Sequence, residues 1–511
     1  MSSPLTDELP RATPPKVEPI PPRYWWLKRI TAGVLVLLLI AAGVRWWWGY
    51  HASKVLDAEV DRCLASGLPF LPEDFDSDPV PNEQNAVPLL EQAWKALTLT
   101  PEQVEMVDQL VADAGVVPRR LRDAQMIHDA TAEARELLHR ALLRPGTDWG
   151  IRYRTPAIKV DPPLMLELGG LFKAAMVSAL YQHQVGDSAA AVSTLRDILG
   201  VSRRLEMRPT LFSYLAATAA VKAVRTALEE IGPSLVIASA SATAGATTRP
   251  ARRSQVQALI GDLLDEEGWW KSRVIGFCAE RMEMYDTAKL VISGGEGWNM
   301  AALAGGILYE PFARLSAFLY RPMLQLNAAQ LLSEQTSRVE AAQERTWPAC
   351  RERQQSPARR ESNSQSRLRI AARLLSVYLA PAFCGLLEDT LAHLARRRMA
   401  ATALAIRLFE LDHGRRPERL EMLVPRYLPR VPDDPFAREG TKLHYDPDAA
   451  RPLLYSVCVN RIDERGAFDP ADDAWLTKDL PFYLDGLGSR RPTTGKAPRR
   501  RQHRLTHTRQ K

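Results

Sequence analysis

The chain opens on one unbroken apolar run and then settles into apolar residues spaced three and four apart, the mark of helices that bury one face. The run, Ile30–Val44, is fifteen residues without a charge. Tyr24, Trp25 and Trp26 precede it, and Trp46, Trp47, Trp48 and Tyr50 follow it. Indole rings settle at the headgroup level, so an apolar run between two aromatic groups predicts a membrane span with two interfacial belts. Fifteen residues fall short of the roughly 20 that cross a hydrocarbon core. Leu27 and Trp46–Trp48, with the Arg45 side chain snorkelling, make up the difference. A signal peptide ends its shorter apolar core in small residues. Three tryptophans and an arginine stand here instead. An uncleaved anchor is therefore expected over 24–50, embedded in the bilayer through Ile30–Trp48. Ahead of it, residues 1–23 read as a disordered Pro-rich tail, with seven prolines in the first 22 positions.

Beyond the anchor the pattern predicts a mainly α protein. Ser53–Leu64 continues the first helix, and Gly67–Pro81 breaks it. Asn85–Leu97 shows helical spacing through Ala86, Leu89, Leu90, Ala93, Trp94 and Leu97. Leu121–Leu143 reads as another helical stretch, ended by Pro145 and Gly146. Leu164–Ile231 is the clearest array. Its three helical runs are separated by Gly186-Asp187 and Arg208-Pro209-Thr210, with Asp187 or Ser188 and then Thr210 placed to cap the runs that follow. Antiparallel helix pairs or a plain bundle over 51–237 are expected. Residues 238–249 contain the low-complexity stretch ASASATAGATT and read as a linker. Residues 250–346 are helical again. Residues 347–368 are polar, basic and aperiodic, which predicts a second flexible connection before a module over 369–488.

In that module, Leu391, Leu394, Ala401, Leu404, Leu408 and Leu411 form one stripe, with Arg396, Arg397, Arg407 and Glu410 off it. His413-Gly414 supplies the stop. A short helix from Pro417-Glu418 through Leu420, Leu423 and Val424 follows. Pro429, Pro432 and Pro435 then force an extended path. Lys442–Tyr445 and Leu453–Val459 read as strands around a polar turn, with Leu480–Leu484 as a third. The succession RLFELDHGRRPERLEMLVPRYLPRVPDDPF, LHYDPDAARPLLYSVCVN and Asp479-Leu480 resembles the soluble C-terminal part of major type II secretion pseudopilins. The resemblance covers about 95 of the 511 residues. It implies a small α+β fold with a short antiparallel sheet and a calcium-binding acidic loop. The prepilin cleavage motif is missing, and Thr390–Leu411 is amphipathic with Arg396-Arg397-Arg398, so this helix is not a pilin helix. Cys458 and Arg461 stand where the family places glycines. The VPNEQNAVPLLEQAW and GDSAAAVSTLRDILGVSRRL stretches extend a resemblance to large bacterial membrane-anchored proteins, which implies no activity.

Charge changes this picture only at the C-terminus. The formal charge is +7, but residues 489–511 carry nine Lys or Arg and no acid. Taking those nine from +7 leaves −2. The folded part is therefore near neutral, and the excess belongs to a disordered basic tail whose partners would be anionic polymers. Five cations in 1–29 against three in 45–64 favour a cytoplasmic N-terminus in the bacterial inner membrane, with the bulk extracytoplasmic. Five scattered cysteines without a CxxC exclude a dense disulfide framework.

No HExxH, GxSxG, Walker loop, SxxK or GxGxxG after a strand is present. The acidic loop 460–479 supplies the one candidate metal site: Asn460, Asp463, Asp472 and Asp479, oxygen donors of the kind calcium takes from flexible loops. Asp265-Glu266-Glu267 beside Trp269-Trp270 reads as a solvated helix face over core tryptophans, and Asp74, Asp76 and Asp78 as a turn. The expectation is a membrane-anchored, non-enzymatic envelope scaffold or assembly component that docks envelope protein partners. Its rivals are a hydrolase of envelope polymers, which needs a deep cleft of separated carboxylates, and a polyanion or nucleic-acid binder acting through the tail.

Overall fold

A computed structural model describes residues 24–76, 78–112, 119–154, 163–238, 248–293, 310–354, 385–467 and 478–486. The two terminal tails, Asp472 and most of both expected linkers lie outside them.

Helix α1, Trp25–Ala65, is a single helix of 41 residues. Its first part is apolar and exposed; it is the one described helix long and apolar enough to cross a membrane. The body begins after the turn at Gly67. Helices α2 (Val87–Lys95), α3 (Pro101–Ala112), α4 (Leu121–Ala130) and α5 (Ala132–Leu142) lie against an antiparallel trio, α6 (Pro163–Gln184), α7 (Ser188–Glu206) and α8 (Leu211–Ile231). The helical stretch expected over Leu121–Leu143 is present as two helices that meet at Thr131, whose hydroxyl donates to Ile127 O at 2.7 Å. The trio's boundaries follow the expected caps. The Asp187 side chain accepts from Ala190 N–H at 2.9 Å and Thr210 Oγ1 from Ser213 N–H at 3.0 Å. Gly186 takes φ +88 to make the α6–α7 turn, and a Cβ there would lie 2.9 Å from Thr248.

Helix α9 (Arg253–Leu264) packs on α7, and α10 (Glu267–Ser293) on α8. Helix α11 (Glu310–Gln343) lies along both α10 and α1, and α12 (Trp347–Gln354) folds back on it. Residues 347–354 thus depart from the flexible connection expected over 347–368. Trp347 and Cys350 are buried, and Cys350 Sγ donates to Ala341 O at 3.1 Å, so two side chains in a polar stretch suffice to pin a helix.

Helix α13 (Leu386–His413) buries the expected stripe from Leu391 to Leu408, leaves its last member Leu411 exposed, and ends at Gly414 in the left-handed conformation, φ +68. Three short strands follow, β1 (His444–Asp446), β2 (Leu453–Ser456) and β3 (Leu480–Tyr483). Their order is β1-β2-β3, antiparallel, with Tyr445 opposite Leu454 and Leu454 opposite Phe482. Buried Asp434 fastens the sheet to the preceding loop. Its oxygens accept from Ser456 Oγ at 2.7 Å, Phe436 N–H at 2.9 Å and Val457 N–H at 3.0 Å.

This module is not separately packed. One apolar core runs from Phe75 through the trio and α13 to Leu484. Arg397, expected off the buried stripe, lies inside it. Its guanidinium donates to the carbonyls of Asp262, Leu263 and Asp265, at the C-terminal end of α9 where the helix's own ladder supplies no donors. Two smaller apolar clusters join α1 to the body. In one, Leu56 packs against Met284 and Ala288 of α10 and Leu324, Ala328 and Leu331 of α11. In the other, Val60 and Cys63 meet Phe70 and Leu332.

Candidate functional site

A wide cleft lies between α5, α7 and the end of α9 and encloses about 450 Å³. Gly200 on α7 lets α5 and α7 approach, since a Cβ there would sit 2.8 Å from Leu142 of α5. The walls carry His139, Arg196, Asp197, Arg203, Arg204 and Asp262. Arg196, Gly200, Arg203 and Arg204 recur at helical spacing, so one face of α7 collects the cations.

The charges are engaged with one another. His139 Nδ1 stands 3.2 Å from both oxygens of Asp197. Burial pushes the Asp197 carboxyl above its usual range, opposed by His139 and Arg196. Asp262 takes Arg196 Nε at 2.7 Å on one oxygen and Arg203 Nη2 at 3.0 Å on the other. Arg204 donates to Arg144 O at 2.6 Å and to Pro145 O and Thr147 Oγ1 at 3.0 Å, holding the α5 exit loop. The guanidiniums of Arg196 and Arg203 remain partly exposed. A cleft of this kind offers an open, charge-patterned wall for a polar partner segment. Of its two carboxylates, Asp262 is held by Arg196 and Arg203 and Asp197 faces His139.

Three of the four calcium candidates, Asn460, Asp463 and Asp479, are described; Asp472 lies outside the described residues. Asn460 Oδ1 accepts from Ile462 N–H at 2.9 Å, and Asp463 Oδ1 from Arg465 N–H at 2.9 Å and Tyr455 OH at 3.1 Å. Asp479 Oδ2 accepts from Glu464 N–H at 2.9 Å and Gly466 N–H at 2.8 Å. Burial raises the Asp479 carboxyl, against the pull of those two N–H groups. Asp463 is lowered: burial acts on it too, but the Arg465 N–H and the Tyr455 hydroxyl, with the nearby cations, outweigh it. These oxygens thus hold the loop's own backbone. Asp479 Oδ1 is buried and left without a hydrogen bond. Among the described residues no three His, Cys, Asp or Glu side chains gather closely enough to hold a metal. A calcium sphere needs about six to eight oxygens, so the described residues of the set do not fit one as they stand.

The loop's backbone carries a second signal. Cys458 and Arg461, at the positions where the pseudopilin resemblance expects glycine, have φ +52 and +59, and Arg465 has φ +59. Left-handed backbone is the conformation that favours glycine.

A further set of ionisable groups escapes sequence reasoning. Burial pushes Glu206, Glu280 and Glu283 up to about 7. Tyr153 OH lies 3.3 Å from Glu283 Oε1 and donates to Pro209 O at 3.0 Å. Both oxygens of Glu280 lack a hydrogen bond, and Arg338 Nη1 stands 3.9 Å away. The weak signal for Glu280 and Glu283 is that α10 carries charges on every face, a pattern that a surface helix does not show. In the Asp265–Glu267 stretch, Asp265 and Glu267 are exposed, as the solvated face requires, and only Glu266 is drawn in. Glu266 pairs with Arg398 at 2.6 and 2.8 Å, while Trp269 and Trp270 are buried as expected. No protein-family model, curated protein or solved structure matches the chain.

Proposed function

We propose that the chain is a membrane-anchored scaffold of the bacterial envelope, whose helical body presents the α5–α7–α9 cleft to a partner. The observation that carries this reading is the continuity of α1. One uninterrupted helix holds the exposed apolar run Ile30–Val44 and then, through Leu56 and Cys63, enters the packing of the body. A helix that is exposed and apolar at one end and packed at the other mounts the body on the bilayer without a flexible tether. The two left-handed residues at glycine positions support the pseudopilin-like reading of the C-terminal module. That module shares the main core, which favours an assembly part that works as one rigid unit over a polymerising subunit.

The test is capture from intact membranes by the full chain and by an Arg196→Glu, Arg203→Glu variant. Both side chains are partly exposed, so the variant is expected to keep its thermal melt within a few degrees. Its partner recovery is expected to fall about tenfold, as for a docking surface whose charge pattern is reversed. Equal recovery by the two chains contradicts the assignment of the cleft.

A further inference from the structure

The anchor helix is not alone at the level of the bilayer. Helix α11 runs beside α1 in the same direction and in constant register. A Cβ on Gly49 would meet Pro322 Cγ at 4.0 Å, and Cys63 Sγ lies 3.3 Å from Thr336 Oγ1. Each pair is separated by the same 273 positions, which fixes two parallel helices in step over about four turns. Leu56 lies between these pairs and packs against Leu324, Ala328 and Leu331, as that register requires.

The register sets depth. Leu319 and Tyr320 fall level with Trp46 and Trp47, the second of the two expected aromatic belts. All four are exposed, at 47%, 47%, 73% and 62%. From Pro322 the helix continues back to Glu310. Twelve residues at 1.5 Å each are about 18 Å of further rise. In step with α1, Glu310 would stand level with Leu37, inside the apolar run. In sequence the stretch 310–320 is EPFARLSAFLY, with two charged residues among eleven; Glu310 and Arg314 are opposite in sign and four apart, the spacing at which helical charges pair, and paired charges are the kind a membrane interior holds.

We infer that the first turns of α11 enter the leaflet on the body's side, making the bilayer itself the partner of the exposed Leu319–Tyr320 surface. This rests on the reading of α1 as a membrane anchor. The chain then holds the membrane through two elements: α1, which crosses it, and the start of α11, which lies in it beside α1. Two points of attachment resist tilt and rotation of the body, which one helix does not.

The experiment uses the full-length chain in vesicles of phosphatidylethanolamine and phosphatidylglycerol. A photo-reactive phenylalanine analogue replaces, one at a time, Leu39, Leu319, Tyr320 and Leu143, the last an exposed side chain of the body. Lipid adducts are read by mass spectrometry. Positions 39, 319 and 320 are expected to give about tenfold more lipid adduct than position 143, as residues at or below the headgroups do. Adducts at 39 but not at 319 or 320 overturn the inference and leave the anchor standing. Adducts from 319 or 320 to a second copy of the chain also overturn it, assigning that surface to a protein interface. No adduct at 39 overturns the anchor reading and the inference with it.

Discussion

The C-terminal module and helix α10 both bury charged side chains, and they treat them in opposite ways. In the module, Asp434 accepts three hydrogen bonds, and Arg397 caps three carbonyls at the end of α9. In α10, both oxygens of Glu280 and two nitrogens of Arg281 are buried without a hydrogen bond. Arg281 lies over the Phe70 ring and donates to Pro69 O at 3.1 Å. A buried charge with all its partners in place locks one geometry. One with partners missing costs desolvation, and a carboxyl so placed keeps its proton toward neutral pH. At Asp434 and Arg397 burial thus specifies structure, while at Glu280 it leaves a titratable group.

The largest expected effect breaks the module. Asp434→Ala strands the Ser456 hydroxyl and two buried N–H groups and is expected to cost about 3–5 kcal/mol, measured by denaturant unfolding. A loss under about 1 kcal/mol would remove the contrast with α10.

The next compares the two buried arginines directly. Arg397→Met strands the α9 carbonyls and is expected to cost about 2–4 kcal/mol. Arg281→Met gives up the guanidinium contact over Phe70 and the bond to Pro69 O but also removes a partly unsatisfied buried charge, so a change within about 1 kcal/mol is expected. Equal losses would show that α10 satisfies its charges as the module does.

A third test uses pH. Glu280 titrates at about 7 when folded, against 4.5 without burial. Between those values the folded chain keeps a proton that the unfolded chain has released. The contribution of this group is therefore complete below about pH 4.5 and is lost as pH rises to about 7. Glu280→Gln cannot titrate. Its stability relative to the parent chain is expected to rise across that window by about 2–3 kcal/mol, read from melts at about pH 5 and about pH 7.5. A constant difference contradicts the buried-acid account.

The smallest effect is a gain. Arg461 is exposed and left-handed. Arg461→Gly is expected to stabilise by about 0.5–1 kcal/mol through relief of that conformation. A loss would mean that its side chain holds the acidic loop.

The same contrast explains what the sequence makes legible. The long apolar first helix, the capped trio, the α13 stripe and the three strands are readable because their polar residues stand at ends and turns, where polarity means punctuation. Asp187, Thr210 and Gly414 are such marks, and each does what its position implies. Polar residues inside elements are not readable in this way. Arg397 is buried by α9 carbonyls more than 130 positions away, and Cys350 by Arg273 and the end of α11. Glu280 is buried where α10 meets α11, opposite Arg338. The cleft is hidden for the same reason. Arg196 and Arg203 look like a solvated helix face until Asp262, from α9, is set against them. In the acidic loop, composition supplies the oxygens but does not reveal that Asp463 and Asp479 accept from the loop's own N–H groups.

Mounting the body on the bilayer is the central claim, and protease added to intact spheroplasts tests it most directly. The expected result is digestion of the body, with an epitope placed at the N-terminus surviving in a membrane-bound fragment that ends near Ala65. A full-length chain protected until the spheroplasts are lysed, or an N-terminal epitope released into the soluble fraction, would contradict it.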